Sequence, residues 1–205
     1  KEYRRQRQMC IRDSLYEEGL IYKGKRLVNW DPVLQTALSD LEVISSEENG
    51  KIWQIKYFLE NDAENYLEIA TTRPETILGD TAVAVNPLDE KYKKYIGKNV
   101  IVPITGKKVP IISDEYVDME FGTGCLKITP AHDFNDYEIA KKHNLEIINI
   151  FDTSARVKCD FKEYNNLDRF EARKKILSEL QESNNLTKVS DHKMVIPRGD
   201  RSHSI

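Results

Sequence analysis

The chain has 205 residues, 40% hydrophobic and 32% charged, with a formal net charge of −3 at pH 7. That length can bury a real apolar core without disulfides or metals, and no apolar run nears the roughly 18 residues of a membrane span. The slightly negative balance argues against a large nucleic-acid footprint, but leaves room for a local basic patch.

Residues 1–14 read as a non-native segment, because Gln6 to Asp13 has the look of translated adaptor sequence, and such scars stay outside fold reasoning. Residues 13–20 suggest a helix stopped by Gly19. Residues 21–30 read as a short strand or hairpin turning at Lys23-Gly24-Lys25, broken by Asp31-Pro32. A helical turn suits 36–40, and a short strand 41–44. Asn49-Gly50 is a strong turn signal. After it, 51–60 and 66–72 read as the two strands of a hairpin. Residues 81–86 form a further strand ended by Pro87, and 88–96 a helix stopped by Gly97. A second hairpin joins 100–104 to 108–112 around Thr105-Gly106. A strand over 125–129 ends at Pro130, a helix spans 133–144, and a strand leaves it over 145–151. The longest helix, 167–182, carries an apolar stripe of Phe170, Ile176, Leu177 and Leu180. Residues 189–205 look extended and loop-like. Many short strands with helices between them imply an α+β fold, a closed or partly closed β barrel with inserted helices.

Three segments carry chemistry. In Thr71-Thr72-Arg73-Pro74-Glu75-Thr76 a strand ends where Pro74 and Glu75 suit a first helical turn, so the threonine hydroxyls stand free either to cap that turn or to meet a ligand. In Phe121-Gly122-Thr123-Gly124-Cys125 two glycines permit a turn, a bulge or close approach of backbone to ligand, without the spacing of a phosphate loop. Thr129 to Tyr137 brings together a strand end, a loop and a helix start, with Asp133 and Asp136 on one face of the first turn. One acid there is enough for a cap; a second, with His132 and Thr129 beside it, points to a binding site. His132, Asp133 and Asp136 match no standard metal motif, so no metal is expected. Cys10, Cys125 and Cys159 fit no zinc or redox pattern and read as free thiols of a reducing compartment. His143, His192 and His203 read as surface residues.

Thr71 to Asp80, Gly122 to Tyr137, and Leu27 to Val43 with its Asn29-Trp30-Asp31-Pro32 together resemble valyl-tRNA synthetase, in the family's order and from about Leu15 to Ile205. The resemblance implies connective peptide 1, a β-barrel-like editing domain inserted into a class I Rossmann catalytic domain. It divides the chain into an entrance segment 15–45, an editing domain 46–190 and an exit segment 191–205. The His-Ile-Gly-His and Lys-Met-Ser-Lys-Ser strings of the catalytic domain are absent from this sequence. The chain alone is therefore expected not to activate valine, and ATP and magnesium belong to the whole enzyme. The implied partners are the aminoacylated acceptor end of the tRNA for valine and the missing catalytic and anticodon-binding domains. A cytoplasmic location, with no membrane contact, follows.

The implied reaction is hydrolysis of threonine wrongly joined to that tRNA. A hydrophobic pocket rejects an isostere bearing an added hydroxyl only about a hundredfold, the established figure for valine-activating synthetases themselves. A second site must accept the hydroxyl by hydrogen bonding. By resemblance Asp136 is the better candidate for the substrate ammonium, and Asp133 or Thr129 for the threonine hydroxyl, the division between the two acids remaining open. Arg73 and Lys127 would bring positive charge near the ester, the terminal adenosine or its phosphate. Thr71, Thr72 and Phe121 would shape the pocket. His132 stands between a general base and a structural hydrogen bond. The alternative is a non-catalytic module that binds the tRNA acceptor end.

Overall fold

The computed structural model describes residues 2–205. Helix α1 (Glu2–Glu17) comes first, and a short hairpin of β1 (Asn29–Asp31) and β2 (Thr36–Leu38) follows. The main sheet holds β3 (Val43–Leu59), β4 (Asp62–Thr71), β5 (Ala82–Val85), β6 (Asn99–Ile101), β7 (Lys108–Ser113) and β8 (Cys125–Ile128). Helix α2 (Phe134–His143), helix α3 (Arg169–Glu182) and strand β9 (Leu186–Gly199) complete the chain. The strand order is β4-β3-β6-β7-β5-β8, with β9 added along β3. All pairings are antiparallel except β5 with β7. The edge strands β4 and β8 approach each other, so the sheet curls into a half-barrel.

Strand β5 shows how the core is divided. Val83 and Val85 face the larger cluster, with Ile55, Tyr57, Leu67, Ile69 and Ile111. Ala82 and Ala84 face a smaller one with Val117, Ile128 and Ile139 of α2. A strand covered on both faces reads as a continuous apolar run, as this one does. Ala172, Ile176 and Leu180 of α3 are fully buried against the larger cluster. Phe170, the fourth member of the expected stripe with Leu177, is instead 39% exposed.

Several local expectations are corrected. Asn49-Gly50 is no turn: Gly50 sits inside β3 opposite His192, and a Cβ on it would run into the Met194 thioether. Residues 186–199 are a strand, not a loop, paired with β3 from Val43↔Gly199 to Ile55↔Leu186. The predicted helix over 88–96 shrinks to a 3₁₀ turn at Lys93–Tyr95. Asn86 and Asp89 explain this, since their side chains take the amides of Leu88 and Lys91 and compete with helix formation. Residues 145–151 form no ladder strand. The Ile150 amide goes to His132, and only a bridge from Phe151 to Val157 remains. Residues 36–38 are strand rather than helical turn, because Asp31 takes the amides of Val33 and Leu34 and closes the hairpin around Pro32. The first helix begins at Glu2, not near Asp13. Among the described residues no helix is long and apolar enough to cross a membrane.

From residue 9 through 17, every residue of α1 is exposed except the half-buried Leu15. Removing residues 1–14 should therefore shift the thermal midpoint by no more than about 2–4 °C, the equivalent of about 1 kcal/mol in a chain of this size. A larger drop in a calorimetric scan would place this helix in the core's energetics.

Candidate active site

The site forms where β4 and β8 end and α2 begins. Strand β4 delivers Thr71, whose Oγ1 accepts the Arg73 amide at 3.1 Å. Thr72, just past the strand, is half-buried. Pro74 then opens a 3₁₀ turn, Pro74–Gly79, whose six residues are all buried. Strand β8 carries Lys127 and leads into Thr129-Pro130. Asp133 caps α2, its Oδ1 accepting the amides of Asn135 at 2.8 Å and Asp136 at 3.2 Å. Asn144 ends that helix in the left-handed conformation.

Lys127 is the centre. Its side chain is 8% exposed, and its ammonium group donates to Thr76 Oγ1 at 2.7 Å, Asp80 Oδ1 at 2.8 Å and Thr129 Oγ1. All three ammonium hydrogens are thereby engaged. Lys127, expected near the ester, the terminal adenosine or its phosphate, is held in this buried hydrogen-bonded floor of the candidate site. Thr129 Oγ1 donates in turn to Asp80 Oδ1 at 2.7 Å, and Tyr57 donates to Asp80 Oδ2 at 2.6 Å. The Thr76 hydroxyl donates to the Arg73 carbonyl at 2.9 Å. Every hydroxyl proton of the floor points into the protein. Thr129 can therefore offer a ligand only a lone pair.

Asp136, 7% exposed, stands beside this floor. Its Oδ2 accepts the Thr129 amide at 2.8 Å, and Oδ1 has no hydrogen bond among the described residues. Burial pushes its carboxyl up to about 6, against the pull of Lys127 and the Thr129 amide. A buried carboxylate with one unused oxygen is suited to a cationic ligand group. Asp133 remains exposed at the rim. His132 accepts the Ile150 amide at Nε2, 3.1 Å away, and packs edge-on to Phe151. Burial, then the charges of Arg73 and Lys127, push its pKa down to about 3, so the ring is neutral. Arg73 Nη1 donates to the His132 carbonyl at 2.6 Å and ties the β4 end to the α2 loop. Phe121 is 60% exposed, edge-on to His192. Its loop packs on β4 at Gly122, where an added Cβ would lie 3.1 Å from that of Ala70. The structure thus gathers Thr71, Thr72, Arg73, Lys127, Thr129, His132, Asp133 and Asp136, and leaves Phe121 outside the hydrogen-bonded network.

Four residues escaped the sequence reading: Tyr57, Thr76, Asp80 and Arg173. Asp80 had a signal, a lone acid in the apolar run Ile77 to Val85. Arg173 had none, and only the fold brings it to Glu75, which it grips at 2.7 and 2.8 Å. His143 is no isolated surface group, since with Lys142 it binds the buried carboxylate of Asp114. Cys125 is buried and its thiol pushed up to about 12, which denies it a thiolate. Among the described residues no three His, Cys, Asp or Glu side chains converge on a metal-binding arrangement.

Comparison with known proteins adds kinship to this geometry. Residues 89–196, just over half the chain, match the family model described as leucyl-tRNA synthetase, editing domain. The chain is 53% identical over 212 residues to a valine–tRNA ligase of Acinetobacter baylyi, covering 92% of this chain and 22% of that protein. It is 58% identical over 193 residues to one of Pelagibacter ubique, covering 94% and 22%. The chain thus spans about a fifth of the length of the curated relatives it matches. Among solved structures, the leucyl enzyme of Agrobacterium radiobacter K84, in a ternary complex with tRNA, aligns with a TM-score of 0.54 at 19% identity, over 92% of this chain and 32% of that one. The structure described as GlLeuRS-CP1 aligns at 0.50 and 14% identity, over 68% and 99%. At such identities the likeness is one of fold.

Two outcomes follow from the geometry. Asp80→Ala strips the buried Lys127 ammonium of its counter-charge and should cost about 3–5 kcal/mol of stability in a denaturant titration. Tyr57→Phe, which removes one donor, should cost about 1–3 kcal/mol. For Asp136 the raised pKa means that, between pH 4 and 6, the folded state holds a proton that the unfolded state has released. Its contribution to stability therefore falls as pH rises through that window. Asp136→Asn should flatten that stretch of the stability–pH curve; an unaltered slope would show that Asp136 titrates normally.

Proposed function

We propose that this chain, which belongs to the leucyl-tRNA synthetase editing-domain family, hydrolyses the ester of misacylated tRNA within a valine-specific synthetase, removing threonine from the tRNA for valine. The observation that carries this reading is the pairing of a buried, half-used carboxylate, Asp136, with a floor that offers only hydrogen-bond acceptors.

The substrate ammonium sits against Asp136 Oδ1. The threonine hydroxyl donates to Thr129 or to Asp133. A valyl ester has no hydroxyl to give, and would leave the desolvated Thr129 lone pair unmatched. Thr71, Thr72 and Phe121 border the acyl and adenosine groups, and Arg73 supplies positive charge at the mouth. His132 is neutral and holds the Ile150 amide, which favours its structural role over that of a base. Water attacks the ester carbonyl, the bond to the ribose oxygen breaks, and the water's proton passes to that oxygen. Free threonine and uncharged tRNA leave. Held geometry and a fixed field supply the rate. Valine activation, ATP use and anticodon recognition belong to the rest of a longer enzyme in this proposal.

The chain should deacylate threonyl-tRNA for valine and spare valyl-tRNA. Binding of both without hydrolysis would favour the acceptor-end binding module instead. Asp136→Ala should stay folded but melt several degrees lower, because the buried Thr129 amide loses its acceptor at a cost of about 1–3 kcal/mol. It should also lose between tenfold and several thousandfold in kcat/KM, since truncating one partner of a buried charge pair costs about 2–5 kcal/mol. Asp133→Ala should narrow the preference for threonyl over valyl esters. A folded Asp136→Ala variant with wild-type rate would move the ammonium contact to Asp133.

A further inference from the structure

The pocket accounts for Arg73, but not for the side chains that continue from it onto α3. Arg173 grips Glu75 with Nε and Nη2, and Arg73 Nε stands 3.8 Å from the same carboxylate. The guanidinium carbon of Arg173 lies 5.3 Å from the centre of the Phe170 ring, and that of Arg169 lies 4.9 Å from it. Three guanidiniums against the carboxylates of Glu75 and Asp168 leave a local excess of one positive charge in a chain of net charge −3. Arg173 and Glu75, 25% and 3% exposed, suffice to brace α3 against the 3₁₀ turn. Arg169 and Phe170 are surplus to that brace. Arg169 Nη2 donates to the Ile205 carbonyl at 2.8 Å, which uses one of its five N–H groups. Phe170 is 39% exposed, with both guanidinium carbons within cation–π distance of its ring. Burial lowers the Arg169 pKa, with Asp168 and Glu75 opposing the shift and Arg73 and Arg173 adding to it.

An exposed ring flanked by guanidiniums offers a face for a base and charge for a phosphate. Arg73 joins this patch to the pocket, since it touches both Glu75 and the His132 carbonyl. We propose that Arg169 and Phe170 form a track outside the pocket for the single-stranded 3′ end of an RNA, Arg169 pairing with a backbone phosphate and Phe170 stacking an unpaired base. The proposal rests on the hydrolytic reading above for the direction in which that strand runs, with its terminal ester at Asp136.

The test uses the full chain with Arg169→Ala, Phe170→Ala, the double variant and Arg169→Lys. With threonyl-tRNA for valine, the double variant should raise KM at least tenfold and leave kcat unchanged. With the threonyl ester of adenosine, which lacks the phosphates and the preceding bases, all variants should match wild type. Arg169→Ala should lower the log–log salt slope of unacylated tRNA binding by about one, and Arg169→Lys should restore it. Binding of unacylated tRNA that the double variant retains in full, or that wild type itself lacks, would overturn the track. Absent hydrolysis by wild type, with the binding difference intact, would sink the hydrolytic reading alone.

Discussion

A charged lysine cannot be buried unless its hydrogens and its charge are both matched. Lys127 meets that requirement with Asp80, Thr76 and Thr129, and the rest of the site is arranged around it. Asp80 supplies the counter-charge with one oxygen, and Tyr57 donates to its second from the middle of β3. Thr76 must present a lone pair, so its proton turns to the Arg73 carbonyl and fixes the start of the 3₁₀ turn. Thr129 must do the same, and its proton turns to Asp80. The direction of every proton in the floor follows from one ammonium group.

Asp136 represents the opposite compromise. Its position in the first turn of α2 is favourable for a negative charge, yet burial raises its pKa and disfavours that charge. The floor binds tightly to itself, whereas Asp136 keeps one oxygen unused. A group held at some cost to stability, with capacity to spare, is what a binding site requires. Asp133 divides the work differently: one oxygen caps the helix while the residue remains at the rim. Two acids three residues apart thus have separate environments, because one faces the packed strand ends and the other the solvent.

The long β3–β9 ribbon and the half-barrel meet on one strand. Beyond the barrel, β3 and β9 alternate between exposed and half-buried residues, with no apolar face. Within the barrel, the side chains of β3 alternate with full burial. The same strand is therefore core at one end and connector at the other. The hairpin of β1 and β2 touches the barrel side through Trp30, which donates to the Thr153 carbonyl at 2.8 Å.

What the sequence determined by itself was local. Helices α2 and α3, the hairpins of β3 with β4 and of β6 with β7, and the cap at Asp133 are set by residues within a few positions of one another, and all were legible. So were the two stretches that supply most of the candidate site, Thr71 to Asp80 and Lys127 to Asp136, because their strings resemble a known family. The tertiary structure decided what depends on distant partners. Strand β9 has no apolar alternation, and it is a strand only because β3 offers it a ladder; for the same reason Asn49-Gly50 does not turn. Asp80 lies 47 residues from Lys127, Tyr57 lies 23 from Asp80, and Arg173 lies 98 from Glu75. No propensity or spacing encodes such contacts. They follow from which side chains the curled sheet places inside it, where a buried charge must find its counter-charge.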